Sequence, residues 1–452
     1  MASIRKMAEL KGGMEMQKEQ TKAKPSGFCS ALVAAHIQVA PLSQVTSFFH
    51  NFSDLFRQAP FSLLFCSFTG LLAGIGLSFM TGMLQLLPGL LILIPPAIAL
   101  RGNVYSALVS RLGTSMHLGL FSPTLRKGGV LYQNAYASLS LTLILSVILG
   151  ALAKIMADAF GISCIPIQGF ILISVLGGII SGIILLGIAI LVSITGYNRN
   201  WDLDNMSSPI ITSAGDMVTI PSLYLAAVVL LKLSSLDIAF MGWLSPVTLL
   251  SITFLVVAVL CTIKGLKAND AAVKRIFVES IPMLFICAIL CTLAGIRMDM
   301  ALERLIAIPS ILILIPPFLG ECNALGGILS ARLSSMLHIG TVSPKRVPDK
   351  LVSANFAVIY ILSVLVFAFV GILAFVASSC LGVATPSILK MLAISLIGGI
   401  LCTTFLNLAS YYIAILSFRF GLDPDNDTIP LITSLTDVVG VLCLMFVLSL
   451  FL

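Results

Sequence analysis

Beyond residue 60 the chain alternates long apolar runs with short polar breaks. A helix needs about 20 apolar residues to cross the ~30 Å hydrocarbon layer of a bilayer. Eleven runs of that kind are predicted, at 60–86, 88–116, 130–157, 166–195, 208–232, 243–263, 281–302, 305–337, 351–377, 386–417 and 429–452. They are too long for strands and too uniformly apolar for the surface helices of a soluble domain. Residues 1–59 are polar and basic and form a cytoplasmic leader. Within it, residues 43–57 place Phe48, Phe49, Phe52, Leu55 and Phe56 on one helical face. That spacing predicts an interfacial helix, with a short amphipathic core helix as the alternative.

Composition agrees with the pattern. Only 10% of the residues are charged and 58% are hydrophobic, whereas a soluble domain carries about 25% charged residues. A water-soluble enzyme, a disordered chain and a disulfide-rich secreted scaffold are excluded. The net charge of +7 does not indicate a nucleic-acid partner, because the basic residues are spread over connecting loops. The partner implied is the lipid bilayer. The ten cysteines fall mostly inside apolar runs, with no CxxC pair, and read as core packing.

The apolar pattern is duplicated. Pro88-Gly-Leu-Leu-Ile-Leu-Ile-Pro-Pro96 recurs as Pro309-Ser-Ile-Leu-Ile-Leu-Ile-Pro-Pro317, and Arg111-Leu112 recurs as Arg332-Leu333. The offset is constant at 221 residues (332 − 111). A second block keeps it: Asp202-Leu-Asp204-Asn205 matches Asp423-Pro-Asp425-Asn426, and Pro209, Thr212, Ser213 and Asp216 match Pro430, Thr433, Ser434 and Asp437. Each copy holds five apolar runs, at 60–232 and 281–452, and one further run lies in the linker 233–280. Five spans alone would invert the second copy; the linker span restores its orientation. The predicted fold is an all-α polytopic membrane protein of eleven spans. Its two parallel five-helix repeats are related by a pseudo-twofold axis along the membrane normal. Of the 26 Lys and Arg residues, twenty fall on the inside with a cytoplasmic N-terminus. Only Lys154, Lys232, Arg297, Arg304 and Lys390 fall outside, and Arg101 lies within a helix. This asymmetry predicts a multi-pass protein of the cell membrane with its N-terminus inside and its C-terminus on the opposite side.

Three carboxylates lie within spans: Asp216, Glu321 and Asp437. An ionised carboxylate at the centre of a spanning helix costs about 2.5–3.5 kcal/mol, so each needs a purpose. Asp216 and Asp437 lie at matching depths, seven residues past Pro209 and Pro430. Two carboxylates converging without a basic partner repel unless a cation lies between them; bonding to a neighbouring helix is the structural alternative. Thr212, Ser213, Thr433 and Ser434 add hydroxyl oxygens within a turn or so. Oxygen surroundings with no Cys or His nearby suit Mg²⁺ or Ca²⁺ rather than zinc or copper. The loops carrying Asp202, Asp204 and Asn205, and Asp423, Asp425 and Asn426, read either as an acidic cytoplasmic mouth or as helix caps. The second is no EF-hand, with Thr428 where Gly is needed and Ser434 where Glu is needed. The paired prolines predict broken helices at 95–96 and 316–317, with Asn103 and Asn323 supplying amide oxygens nearby. Arg101 and Glu321 occupy nearly equivalent places and are expected to pair across the repeats, which would make Glu321 structural; otherwise it lines the path.

The run Asp423-Pro-Asp-Asn-Asp-Thr-Ile-Pro430-Leu-Ile-Thr433-Ser-Leu-Thr-Asp437-Val-Val-Gly440 resembles the last transmembrane helix of MgtE-type magnesium transporters. Pro209-Ile-Ile-Thr212-Ser-Ala-Gly-Asp216 resembles the same motif, and Leu100-Arg-Gly-Asn103 with Ser110-Arg111-Leu112 resembles their second helix, especially in the solute carrier 41 family. The resemblance covers residues from about 60 to 452 and implies a chain that fuses two MgtE units. It implies movement of Mg²⁺, as the transported ion, between those units, with Asp216 and Asp437 holding it in hydrated form. Cys322-Asn323 and the charged Glu321 depart from the family pattern, so the two halves of the path are expected to differ. Bacterial members carry large cytosolic Mg²⁺-sensing domains, for which the leader leaves no room.

The expected function is therefore transport of divalent cations, with no enzymatic activity; passive flow and Na⁺- or H⁺-coupled exchange both remain open. An intramembrane aspartyl protease would need a close dyad in Tyr-Asp and Gly-x-Gly-Asp motifs, which neither Ala214-Gly215-Asp216 nor Leu435-Thr436-Asp437 matches. A transporter of small organic solutes would want aromatic or basic groups where carboxylates and hydroxyls stand. With two fused units, self-association is not required. The topology is checked by epitope accessibility in intact cells. A C-terminal tag should be reached without permeabilisation and an N-terminal tag only after it; both tags on one side would contradict an odd number of spans.

Overall fold

The computed structural model describes residues 53–126, 128–199, 203–235, 245–268, 270–420 and 429–451. Those residues are helical, with short turns and no strand. The helices are α1 Ser53–Phe79, α2 Thr81–Leu86, α3 Leu90–His117, α4 Val130–Ala159, α5 Ile167–Arg199, α6 Leu203–Ser234, α7 Pro246–Leu266, α8 Ala271–Asp299, α9 Leu302–Ala307, α10 Pro309–Ile339, α11 Lys350–Cys380, α12 Ile388–Phe420 and α13 Ile429–Phe451. Eleven of them are long and apolar enough to cross a membrane. The protein is a polytopic all-α membrane protein. The nine described cysteines are free thiols.

Most boundaries follow the apolar runs, with four differences. First, the run 60–86 is divided: α1 ends at Phe79 and the six-residue helix α2 follows, and in the second copy α9 follows the end of α8 at Asp299, 221 residues on (302 − 81). Leu87 and Ile308 end these short helices with ψ of 82° and 79°. Each precedes a proline, whose ring disfavours the helical conformation of the residue before it. Second, α8 starts at Ala271, so the last part of the expected linker is helical. Asp270 caps it, its side chain accepting from the Ala272 amide at 3.0 Å. Third, α6 starts at Leu203 rather than 208. Fourth, the expected interfacial helix lies outside the described residues up to Phe52, and Ser53 already belongs to α1.

The paired prolines do not break their helices. Both α3 and α10 run on through Pro95-Pro96 and Pro316-Pro317. Pro96 and Pro317 have no N–H for the carbonyls of Ile92 and Ile313, four residues earlier. Each freed carbonyl is instead covered by a crossing helix from the other copy. A Cβ built on Gly74 of α1 would lie 2.1 Å from the Ile313 oxygen, and one on Gly295 of α8 would lie 2.3 Å from the Ile92 oxygen. Only glycine admits such an approach, in which its Cα–H faces the carbonyl. Both residues of this contact repeat at the 221-residue offset (295 − 74 and 313 − 92).

The first helix of each copy therefore packs on the second helix of the other. Phe68 of α1 also stacks edge-on against Phe369 of α11, with ring centroids 5.9 Å apart. Other bonds are duplicated within the copies. Arg111 Nε donates to Asn134 Oδ1 at 2.9 Å, and Arg332 Nε donates to Asn355 Oδ1 at 2.9 Å. The linker span α7 packs on α4 and α5 and buries Val247, Ser251, Ala258 and Gly265, the last against Phe277 of α8. Ser251 Oγ donates to the Gln168 carbonyl at 2.9 Å. Its other faces expose Leu249, Ile252, Leu255 and Val259, as a helix bordering lipid does.

Gly295→Ala should lower the melting temperature of the detergent-purified protein, an overpacking cost of about 1–3 kcal/mol outweighing the gain in helix propensity. Gly187→Ala, with open space around its Cβ, should leave it unchanged or raise it. Equal behaviour of the two variants would contradict the close helix crossing.

Candidate functional site

Asp216 on α6 and Asp437 on α13 lie where the fifth helix of each copy meets the second helix of the other, α10 and α3 respectively. Their charges act on one another across this junction. Asp437 is buried and well supplied with donors. Asn323 Nδ2 donates to its Oδ1 at 2.7 Å, and the Cys291 thiol donates to its Oδ2 at 3.4 Å. Asp216 accepts no hydrogen bond among the described residues. Its Oδ2 stands 3.7 Å from the position of a Cβ on Gly320, in α10 of the other copy.

Glu321, the residue after Gly320, is fully buried. Ser67 of α1 donates to its Oε1 at 2.5 Å, while Oε2 has no partner. It does not pair with Arg101, contrary to the expectation from sequence. Arg101 points into the core of its own copy, donating to the Ala97 carbonyl at 3.2 Å, Ser146 Oγ at 2.9 Å and the Ser174 carbonyl at 3.2 Å. Gly178 leaves the space it fills, since a Cβ there would lie 2.3 Å from Nη2. In the second copy that space is taken by Phe367, against Gly399, and Cys322 stands at the position of Arg101.

The two asparagines are not repeat equivalents, because their separation is one short of the offset (323 − 103 = 220). Asn323 matches Gly102, which faces Gly215 closely in the first copy. An amide in place of a hydrogen lets the second copy reach its own aspartate. Asn103 is half-buried with Nδ2 unpartnered, and the Oδ1 of Asn323 is likewise buried and unpartnered. Thr433 donates to the Pro430 carbonyl at 3.1 Å, and Thr212 turns its methyl group toward Gly102. Ser213 and Ser434 are buried, beside Cys66 and Cys287 respectively.

These cysteines overturn the expectation of surroundings without thiols: Cys66, Cys287 and Cys291 all stand near the carboxylates. They lie about 150 residues before the aspartates they approach, so spacing alone hides them. A signal was present in Cys66 and Cys287, which keep the repeat offset (287 − 66 = 221). Of the acidic mouth, Asp202, Asp423, Asp425 and Asn426 lie outside the described residues, and Asp204 and Asn205 fall in the first turn of α6.

Among the described residues, no three His, Cys, Asp or Glu side chains are grouped to enclose a metal ion. Carboxylate and amide oxygens from facing helices suit an ion that keeps part of its water shell, as Mg²⁺ does. The fold and this junction define a duplicated helical membrane protein with carboxylates buried between its copies. The profile of the MgtE family, described as a divalent cation transporter, matches residues 94–226 and 315–447. Both limits repeat at the offset seen in the chain (315 − 94 and 447 − 226), and each match contains one of the two aspartates. The chain belongs to the MgtE family. It is similar to solute carrier family 41 member 2 of Gallus gallus and of Homo sapiens, 27% identical to each over 139 residues. That match covers 28% of this chain and 23% of either relative, so it spans less than a quarter of their length. No solved structure matches the chain.

Proposed function

We propose that the chain carries divalent cations, Mg²⁺ foremost, across the cell membrane along a path between its two repeats. The observation that carries this reading is the pair Asp216 and Asp437. They are repeat-equivalent carboxylates within the spans, each other's electrostatic neighbours, and no described ion pair neutralises them. Keeping two such groups in a membrane costs several kcal/mol, a cost that a divalent cation between them offsets. Membership of the MgtE family and similarity to solute carrier family 41 member 2 point the same way.

In this reading the pseudo-twofold axis runs along the membrane normal, and one chain supplies both halves of the path. Asn103, Asn323, Thr212, Ser213, Thr433 and Ser434 line it in supporting positions. Asp202, Asp204, Asn205, Asp423, Asp425 and Asn426 gather cations at its cytoplasmic mouth. The exchange of each first helix between the copies supports a shared path, because α1 and α8 each reach the junction next to the carboxylates.

The test is Mg²⁺ uptake into proteoliposomes. The natural protein should show uptake, and Asp216→Asn/Asp437→Asn should lose it while keeping its melting temperature. Undiminished uptake by that variant would make the aspartates structural and refute the path.

A further inference from the structure

One carboxylate of the pair is bonded to a thiol. Cys291 on α8 donates to Asp437 Oδ2 at 3.4 Å. Cys287 stands one helical turn earlier on the same face of α8 and donates to the Pro430 carbonyl at 3.5 Å. Ser434, fully buried and three residues before Asp437 on α13, lies beside both thiols. Two thiols, a hydroxyl and a carboxylate thus gather where α8 packs on α13. The first copy is built differently. Cys66 matches Cys287, but the counterpart of Cys291 is Gly70 (291 − 221). A Cβ on Gly70 would lie 2.6 Å from Pro317 Cα, so no side chain fits there. The thiol bonded to a carboxylate therefore belongs to the second copy alone.

Mg²⁺ takes oxygen ligands, whereas softer divalent ions such as Zn²⁺ and Cd²⁺ favour thiolate sulfur. Zinc–sulfur and zinc–oxygen bonds of about 2.3 and 2.1 Å, at a tetrahedral angle, hold the two ligand atoms about 3.5 Å apart. Cys291 Sγ and Asp437 Oδ2 already stand close to that spacing. We infer that Cys291 and Asp437 form a binding site for thiophilic divalent cations, and that an ion lodged there blocks the passage of Mg²⁺. On binding, the S–H bond of Cys291 breaks, a sulfur–metal bond forms and the proton leaves to water. Asp437 Oδ2, released from its thiol donor, supplies the second ligand, and water completes the coordination. Among the described residues no third His, Cys, Asp or Glu joins this pair to enclose an ion, which suits a cation that arrives along the path rather than one held permanently. The inference rests on the reading of the junction as a cation path, and it leaves Mg²⁺ with Asp216 and Asp437.

The experiment uses Cd²⁺ on the full chain. In detergent, a Cd²⁺ titration is followed by the ultraviolet sulfur-to-metal charge-transfer absorption. In proteoliposomes made from the same preparations, Cd²⁺ inhibition of Mg²⁺ uptake is measured relative to each variant's own uptake. Cys291→Ser keeps a donor to Asp437 and removes the sulfur. It should lose absorption relative to the natural protein and require at least about 10-fold more Cd²⁺ for half-inhibition, the scale on which even outer partners of a metal act. Cys291→Ala serves if the serine variant does not fold. Cys261→Ser, on the linker span α7, should keep both the absorption and the inhibition. Equal inhibition of the natural protein and Cys291→Ser would place the block elsewhere and overturn the inference, as would a natural protein without charge-transfer absorption. Absorption that depends on Cys291, with no Mg²⁺ uptake by the natural protein, would uphold the thiophilic site and refute transport.

Discussion

Two carbonyl oxygens that their own helices leave without a donor hold the two halves of this protein together. Pro96 and Pro317 cannot bond the carbonyls of Ile92 and Ile313, and in a membrane no water replaces the missing donor. The glycines Gly295 and Gly74 let a helix of the opposite copy lie directly on those oxygens. Prolines in the second helix thus require glycines in the first helix of the other repeat. With α1 and α8 crossing the other copy in this way, Ser67 reaches Glu321 across the repeats, while Cys291 reaches Asp437 within its own copy. The carboxylates then lie between the repeats rather than inside either one.

Duplication sets the scaffold, and later divergence sets the chemistry. The Arg111–Asn134 and Arg332–Asn355 bonds, the short helices after the first spans and the glycine crossings all keep the same offset. Differences concentrate at the junction and in the core beside it: Gly102 against Asn323, Leu100 against Glu321, Arg101 against Cys322. A scaffold that must pack tolerates little change, whereas a polar junction can exchange one donor or acceptor for another. That contrast fits an Asp437 enclosed by donors and an Asp216 that accepts none among the described residues.

Much of the scaffold was legible in the sequence, because a spanning helix must be apolar along its length and a duplication must repeat its motifs. Nine of the eleven spans, the linker helix among them, begin and end within about five residues of the apolar runs, while α1 begins and ends seven residues early and α8 starts ten residues early. The break after Phe79 was not legible, since an apolar run does not reveal where a helix stops within it. The prolines were misread as breaks because the covering glycines lie some 200 residues away in the chain. The expected Arg101–Glu321 pair failed for a related reason: near-equivalence in a repeat fixes depth, not direction, and Arg101 faces its own core. The aspartates and Asn323 could be singled out in the sequence, whereas the thiols beside Asp216 and Asp437 come from the first helix of the same copy, about 150 residues away, and no local pattern encodes that packing.

The most direct test of the account is to locate the ion itself, by anomalous diffraction from crystals of the protein soaked in Mn²⁺ as a substitute for Mg²⁺. The account requires a peak between the two repeats, beside Asp216 and Asp437, that disappears in Asp216→Asn/Asp437→Asn. A peak confined to other parts of the molecule, with none between the repeats, would contradict it.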